Sequence, residues 1–206
     1  MKTQIILIRG GETYDSYEDY IVGLKGMTVS FDRLTTKGWK EKLPEAFGDD
    51  VQVIVPGMPN ALNAKYFEWK IYFEKLIPFL NDRLIFVGSS LGSIFLIKYL
   101  SENTFPKKIL GLFLVGAPYD AEGTDYTLAD FVLGKNLDMV ARHCDNIHFY
   151  FSSDDPVIPL TNMEKYKKAL PKAQYALLDN RGHFNVIEFS ELETDIRDIL
   201  SRFDRV

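Results

Sequence analysis

Six short apolar runs recur along the chain, and most of them are continuous rather than alternating with polar residues. Continuous runs of this length are typical of strands that are covered on both faces. Helix-like segments fill the gaps, and strands that alternate with helices favour a parallel sheet flanked on both sides. The sequence therefore predicts an α/β fold, a three-layer α/β/α sandwich with about six mainly parallel strands. The runs are Ile5–Ile8, Val51–Val55, Leu84–Val87, Gly111–Val115, Ile147–Phe151 and Tyr175–Leu178.

Four helices are predicted between and after these strands. Leu91–Leu100 is apolar nearly all round, which indicates a buried helix. Ala64–Leu80 is amphipathic, and Thr161–Leu170 and Asn185–Phe203 carry fewer apolar residues, so these last two should be outer helices.

Two segments fit neither pattern. Tyr14–Asp32 is acidic and rich in tyrosine, and Pro118–Asp130 follows the fourth predicted strand. Both should lie beyond the carboxyl ends of strands, where open α/β sheets bind ligands. A chain of 206 residues without a repeat or a linker should form a single domain over residues 1–206. Loop or lid insertions are expected within it at 14–36 and 118–130.

Composition excludes several classes of protein. A net charge of −5 leaves no basic stripe to neutralise phosphates, which argues against a nucleic-acid partner. The single cysteine, Cys144, excludes an internal disulfide and a multi-cysteine metal site. The first apolar run is too short for a signal-peptide core, and no segment approaches the ~20 apolar residues of a membrane helix. We therefore expect a cytoplasmic protein without a membrane span. No nucleotide-binding motif and no cluster of metal ligands occurs, so no cofactor and no metal are expected.

The segment GSSLG at 88–92 matches the pattern G-x-S-x-G and lies between a predicted strand and a predicted helix. In a nucleophile elbow of this pattern, the central serine occupies a strained turn, and the residues two before and two after it crowd together. Glycine at both places relieves the crowding. Ser90 has Gly88 and Gly92 at those offsets, whereas Ser89 has larger residues there. Ser90 is therefore the predicted nucleophile.

A serine hydroxyl needs a base that takes its proton, and the chain offers three histidines. His148 lies inside a predicted strand and His143 at the end of a helix-like stretch, which favours structural roles for both. His183 lies in a glycine-containing loop directly after the last strand, from which an imidazole could reach Ser90. His183 is therefore the predicted base.

The base in turn needs an acid that fixes its tautomer. Asp154 and Asp155 follow the fifth strand, and either could instead bind only the backbone of the turn. Asp155 is the predicted acid, with Asp154 as the alternative. An oxyanion would be held by the backbone N–H of Leu91 and by a second donor after the first strand, with Gly11 predicted and Gly10 the alternative.

These residues, in this order, resemble the α/β-hydrolase superfamily. More narrowly they resemble the small intracellular serine hydrolases of the retinoblastoma-binding-protein type, which carry little or no cap domain. The resemblance spans most of the chain and is better after residue 50. It is carried by VIVPGMPN at 53–60, EWK at 68–70, VGSSLGS at 87–93, LVGAP at 114–118, SSDDPVIP at 152–159 and RGHF at 181–184.

The resemblance implies a carboxylesterase-like serine hydrolase that needs no metal or organic cofactor. Its substrate would be a small-molecule ester, thioester or amide, cleaved through an acyl-enzyme by Ser90, Asp155 and His183. Two departures concern the oxyanion loop and the elbow. Arg9 precedes Gly10 where many hydrolases have histidine, and Ser89 precedes Ser90 where the elbow often has histidine.

Three alternatives stand beside this interpretation. A hydrolase-like fold can bind a ligand or a protein partner without catalysis, and the same triad can transfer an acyl group to an acceptor other than water. LIRGGET at 7–13 followed by LTTKG at 34–38 resembles the histidine phosphatases, but Gly10 stands where those enzymes carry the phosphorylated histidine. The sequence does not determine the acyl length or the oligomeric state.

Overall fold

The computed structural model describes residues 2–203 and contains one sheet of six strands, all paired in parallel. The strands are β1 (Thr3–Ile8), β2 (Val51–Ile54), β3 (Leu84–Ser89), β4 (Ile109–Val115), β5 (Ile147–Ser152) and β6 (Gln174–Leu178). Their order across the sheet is β2-β1-β3-β4-β5-β6. Each of the six predicted strands is present within a few residues of its predicted limits.

Helices lie between and after the strands. They are α1 (Tyr17–Gly26), α2 (Phe31–Thr35), α3 (Trp39–Lys42), α4 (Tyr66–Leu76), α5 (Leu91–Glu102), α6 (Asp138–His143), α7 (Thr161–Ala169) and α8 (Ser190–Phe203). Side chains of α4, α5, α6 and α7 form one buried cluster with the sheet, and those of α3 and α8 form a second cluster on the other face. The predicted three-layer α/β/α sandwich is therefore confirmed.

Strand β1 shows how the sheet is shared between the two clusters. Ile6 and Ile8 point into the first cluster, and Ile5 and Leu7 point into the second. All four side chains are fully buried. A parallel strand with both faces covered reads as a continuous apolar run, which is why the alternation that marks a half-exposed strand is missing from the sequence.

The order of the strands determines where a ligand can bind. After β1 the chain adds β2 on one side, and it then returns to add β3 on the other side of β1. Ile8 pairs with Gly88, so the loops that leave β1 and β3 start side by side. In open α/β sheets, ligands bind at such a switch point, outside the carboxyl ends of the strands.

Two predicted helices have different limits in the structure. The helix predicted over Asn185–Phe203 begins only at Ser190. The carbonyl of Val186 instead accepts the N–H of Trp39 at 3.1 Å, because this stretch pairs with the start of α3. The helix predicted over Ala64–Leu80 spans Tyr66–Leu76 and then tightens into a 3₁₀ turn at Ile77–Phe79, which contains a proline.

The two segments in which loop or lid insertions are predicted differ from each other. Segment 14–36 contains α1 and α2, and α1 has no buried residue. Segment 118–130 contains neither helix nor strand and follows β4. Their role as lids stays a prediction. None of the helices within residues 2–203 is long and apolar enough to cross a membrane.

A cluster of buried aromatic side chains packs around Phe95 of α5 and should contribute strongly to the stability of the fold. The Phe95 ring is fully buried, and its centroid lies 5.4–5.8 Å from those of Phe73, Trp69 and Tyr66. We expect Phe95→Ala to lower the free energy of unfolding by about 3–5 kcal/mol, because it leaves a cavity among these rings. Urea denaturation followed by circular dichroism measures this loss.

The same substitution at Phe79 is the control, because that side chain is 80% exposed. Phe79→Ala should change the free energy of unfolding by less than about 0.5 kcal/mol. Equal losses in the two variants would contradict the importance of the aromatic cluster.

Candidate active site

Ser90 stands alone between β3 and α5, in a backbone conformation that side chains rarely adopt. Its φ is 53° and its ψ is −120°. Its N–H donates to the carbonyl of Val115 at 2.8 Å, and its own carbonyl accepts the N–H of Ser93 at 2.9 Å. The surrounding backbone therefore fixes a strained turn that pushes the hydroxyl out of the sheet.

The two glycines that flank Ser90 are required by close backbone contacts. A Cβ added to Gly88 would lie 2.6 Å from the Cα of Ser93, and one added to Gly92 would lie 2.1 Å from the carbonyl oxygen of Ile8. Both distances are far below van der Waals contact. The first turn of α5 therefore lies directly on the end of β1.

The structure brings Ser90, His183 and Asp155 together. The Ser90 Oγ lies 2.9 Å from Nε2 of His183. Nδ1 of the same ring lies 2.9 Å from Oδ2 of Asp155 and 3.1 Å from its Oδ1. The Asp155 side chain is 2% exposed and that of His183 is 18% exposed, so the acid is shielded from water and the imidazole faces the cleft. This arrangement can activate a serine hydroxyl as a nucleophile.

The structure separates the two candidate acids. Besides facing His183, the Oδ1 of Asp155 accepts the N–H groups of Val157 and Ile158 at 2.8 and 3.0 Å. Asp154 instead accepts the hydroxyl of Ser152 and the N–H groups of Arg181 and Gly182. The hydrogen bond from Ser152 is the main cause that lowers the pKa of the Asp154 carboxyl. Asp154 therefore anchors the loop that carries the histidine, without contacting the imidazole.

Further contacts fix the position of the His183 ring. Gly182 and Phe184, its neighbours, both have positive φ, of 50° and 52°. Arg181 forms an ion pair with Glu191 at the start of α8. Gly116, at the end of β4, leaves room for the ring, since a Cβ there would lie 3.3 Å from Cε1 of His183. Sequence reasoning missed this role of Gly116, although a glycine directly after a central strand is a usable signal.

A cavity of about 120 Å³ opens in front of the Ser90 hydroxyl. Leu91 and Gly11, the predicted oxyanion donors, both line it. Gly10 lies against Ser90 instead, because a Cβ there would be 3.1 Å from the serine Cβ. The other lining residues are Glu12, Thr13, Pro118, Tyr126, Thr127, Leu128, Val157 and Ile158, together with Ser90 and His183.

Segment 118–130 supplies one wall of this cavity and is held by polar contacts rather than by secondary structure. The buried Asn162 accepts the N–H of Tyr119 at 2.7 Å, and the hydroxyl of Tyr166 donates to the carbonyl of Pro118 at 2.7 Å. The hydroxyl of Thr13 donates to the carbonyl of Thr127 at 2.6 Å. These contacts join the loop after β4 to α7 and to the loop after β1.

The remaining histidines and the cysteine lie away from Ser90 in structural positions. His148 is buried in β5 and stacks on Phe113 with 4.8 Å between ring centroids, and desolvation lowers its pKa. Nε2 of His143 lies 3.1 Å from the carbonyl oxygen of Asn103. Cys144 is buried, and burial raises the pKa of its thiol to about 12. Within residues 2–203, no group of three or more His, Cys, Asp or Glu could hold a metal ion.

Comparisons with known proteins identify the family and the fold of the chain. A family model described as serine hydrolase matches residues 30–197. The ydeN gene product from B. subtilis is 18% identical, with a TM-score of 0.72 over 97% of this chain and 100% of that chain. No curated protein matches the chain significantly.

Two further solved structures have lower scores. An alpha/beta hydrolase enzyme from a sediment metagenome of the lagoon of Mar Chica, Morocco, is 17% identical, with a TM-score of 0.58 over 99% of this chain and 93% of that chain. A thioesterase domain from the curacin biosynthetic pathway is 13% identical, with a TM-score of 0.58 over 97% and 91%. At such identities the likeness shows the fold alone, which is that of the α/β hydrolases.

The contact between Gly92 and Ile8 predicts that the elbow cannot accept a side chain there. Gly92→Ala should lower the free energy of unfolding by about 1–3 kcal/mol, because α5 must move away from β1. The control is Gly134→Ala, since a Cβ at Gly134 would meet nothing within 4 Å. Thermal denaturation of both variants measures the difference, and a Gly92→Ala variant as stable as Gly134→Ala would contradict the close approach.

Proposed function

Because the chain belongs to the serine hydrolase family, we propose that it cleaves a small ester, thioester or amide through an acyl-enzyme formed on Ser90. The observation that carries the proposal is the pair of 2.9 Å contacts that link the Ser90 Oγ to His183 and His183 to Asp155. A serine, a histidine and a shielded carboxylate in this geometry form a proton relay from hydroxyl to imidazole.

In the first step, the Ser90 Oγ attacks the carbonyl carbon of the substrate while its proton moves to Nε2 of His183. The imidazolium that forms is stabilised by Asp155, whose carboxylate accepts the Nδ1–H. Asp155 also keeps the correct tautomer before the reaction. The backbone N–H groups of Val157 and Ile158 donate to Oδ1 of the same carboxylate and hold it in place.

The oxygen of the substrate carbonyl becomes an oxyanion in this step. The N–H of Leu91 lies at the N-terminus of the 12-residue helix α5, where the helix dipole stabilises a negative charge. The N–H of Gly11, across the cavity, is the second proposed donor. His183 then protonates the leaving group, and the acyl-enzyme remains on Ser90. A water molecule then attacks the acyl carbon and gives a proton to His183. The bond from that carbon to the Ser90 Oγ breaks, the acid leaves, and His183 returns the proton to Oγ.

The cavity favours a short acyl group. Its volume of about 120 Å³ lies below the ~300–1,000 Å³ that is usual for ligand pockets, which suits a small acyl group. Its apolar walls come from Leu91, Pro118, Leu128, Val157 and Ile158, which suits an aliphatic chain. A thioester is included among the candidate substrates because a thioesterase domain shares the fold.

Labelling with a fluorophosphonate probe tests the proposed nucleophile. The wild-type protein should be labelled, Ser90→Ala should not be, and His183→Ala should react at least about 100-fold more slowly, because the hydroxyl loses its base. Ser89→Ala is the matched control, since that serine is buried in β3 and should not react. Failure of the folded wild type to be labelled, or labelling that survives in Ser90→Ala, would overturn the proposal.

Paired substitutions test which aspartate acts as the acid. Asp155→Asn should reduce kcat for p-nitrophenyl butyrate by about 10³–10⁴-fold, because the amide favours the wrong tautomer of His183. Asp154→Asn should chiefly lower the melting temperature, because it weakens the contacts that hold residues 181–182. A larger loss of kcat in Asp154→Asn than in Asp155→Asn would make Asp154 the acid.

A further inference from the structure

Glu12 lines the same cavity as Ser90 and His183, and the mechanism above does not use it. Its backbone is fixed on both sides. The N–H of Glu12 donates to the carbonyl of Ala61 at 2.8 Å, and its carbonyl accepts the N–H of Ala64 at 2.8 Å. The loop after β1 is thus tied to the segment that precedes α4, so the carboxylate is carried on a well-defined piece of backbone.

Among the side chains that the structure describes, none donates a hydrogen bond to the Glu12 carboxylate, and no lysine or arginine forms an ion pair with it. The described residues that line the cavity include no lysine or arginine either, and His183 is the only one of them that can become positively charged. The cavity therefore combines apolar walls with one unpaired negative charge.

The surroundings of Glu12 make this charge unusual for a surface glutamate. Desolvation raises the pKa of its carboxyl, and the charge of protonated His183 opposes part of that rise. Glu12 is nevertheless an exposed residue, so a cation can reach its carboxylate, and a nearby positive charge stabilises a carboxylate that has no other cation beside it. A bound anion would instead meet a like charge and no compensating donor from a lysine or arginine.

We propose that Glu12 is a specificity-determining residue that binds a positively charged group of the substrate. The substrate class is then an ammonium-bearing acyl compound, such as an amino-acyl ester or an ester or thioester of an amino alcohol. Carboxylate-bearing substrates are disfavoured. The inference rests on the proposed function, because it names the substrate class of the same site.

Two pairs of isosteric substrates test it, each with a cationic and a neutral member. In the first pair the charge is in the acyl group: the p-nitrophenyl ester of β-alanine is compared with p-nitrophenyl butyrate. In the second it is in the leaving group: butyrylthiocholine is compared with the 3,3-dimethylbutyl thioester of butyrate. The readout is the ratio of kcat/KM within a pair, which cancels any effect on Ser90, His183 or Asp155 that both members share.

In at least one pair, Glu12→Gln should lower the ratio of kcat/KM for the cationic substrate to kcat/KM for the neutral substrate. The expected decrease is about threefold to tenfold, as for a charge at a partly exposed cleft. Glu12→Lys should lower the ratio further. Glu18→Gln, which removes the same charge from the exposed helix α1, is the control and should leave the ratio unchanged. In the wild type, the ratio should fall with added salt and as the pH falls through the raised pKa of Glu12, and both trends should be absent in Glu12→Gln.

The outcomes separate the inference from the proposed function. If the wild type is labelled at Ser90 and hydrolyses p-nitrophenyl butyrate, but the ratios are equal in wild type, Glu12→Gln and Glu12→Lys for both pairs, the inference is wrong and the proposed function stands. If the folded wild type is neither labelled nor active on any of the four substrates, both are wrong. The rate on the neutral member of each pair shows whether a variant has kept its active site.

Discussion

The close approach of α5 to the ends of β1 and β3 is the constraint on which the rest of the site depends. At Gly92 the helix lies so near to the carbonyl of Ile8 that no side chain fits, and at Gly88 the strand meets the backbone of Ser93. Ser90 lies between these two glycines, at the junction of β3 and α5, and has a positive φ. Its strain is balanced by ordinary backbone hydrogen bonds, above all the one to Val115. The hydroxyl consequently stands at the switch point of the sheet.

The remaining parts of the site come from loops that leave the other strands at the same edge. The loop after β5 divides its two aspartates between two tasks: Asp155 faces the imidazole, and Asp154 holds the loop after β6 that carries it. The loop after β4 contributes Gly116 under the ring and then a wall of the cavity. The side chains of Asp154, Asp155 and His183 are held by hydrogen bonds to neighbouring elements, so rigid strands position a site that is built almost entirely from loops.

The proposed chemistry and the proposed selectivity have separate origins in this fold. The elbow and the histidine loop would provide the reaction, and they depend on backbone geometry that the whole sheet maintains. The loop after β1 would decide which substrates are accepted, because it places Glu12 beside a cavity whose described lining residues include no other carboxylate and no lysine or arginine. A change of one side chain on that loop can therefore alter the preference for charge while the nucleophile keeps its geometry.

Local patterns in the sequence were enough to predict several parts of this protein. Continuous apolar runs located all six strands, because strands buried on both faces leave that pattern. The G-x-S-x-G elbow and the position of two polar loops after strands pointed to Ser90, Asp155 and His183. In the structure, the His183 ring lies within hydrogen-bonding distance of both Ser90 and Asp155. Tertiary structure alone decided where α8 begins, since Val186 pairs with Trp39 from a distant part of the chain. It also decided which aspartate faces the histidine and that Glu12 lines the cavity without a cationic partner among the described lysines and arginines. Those outcomes depend on contacts between segments far apart in sequence, and no local pattern of residues encodes such contacts.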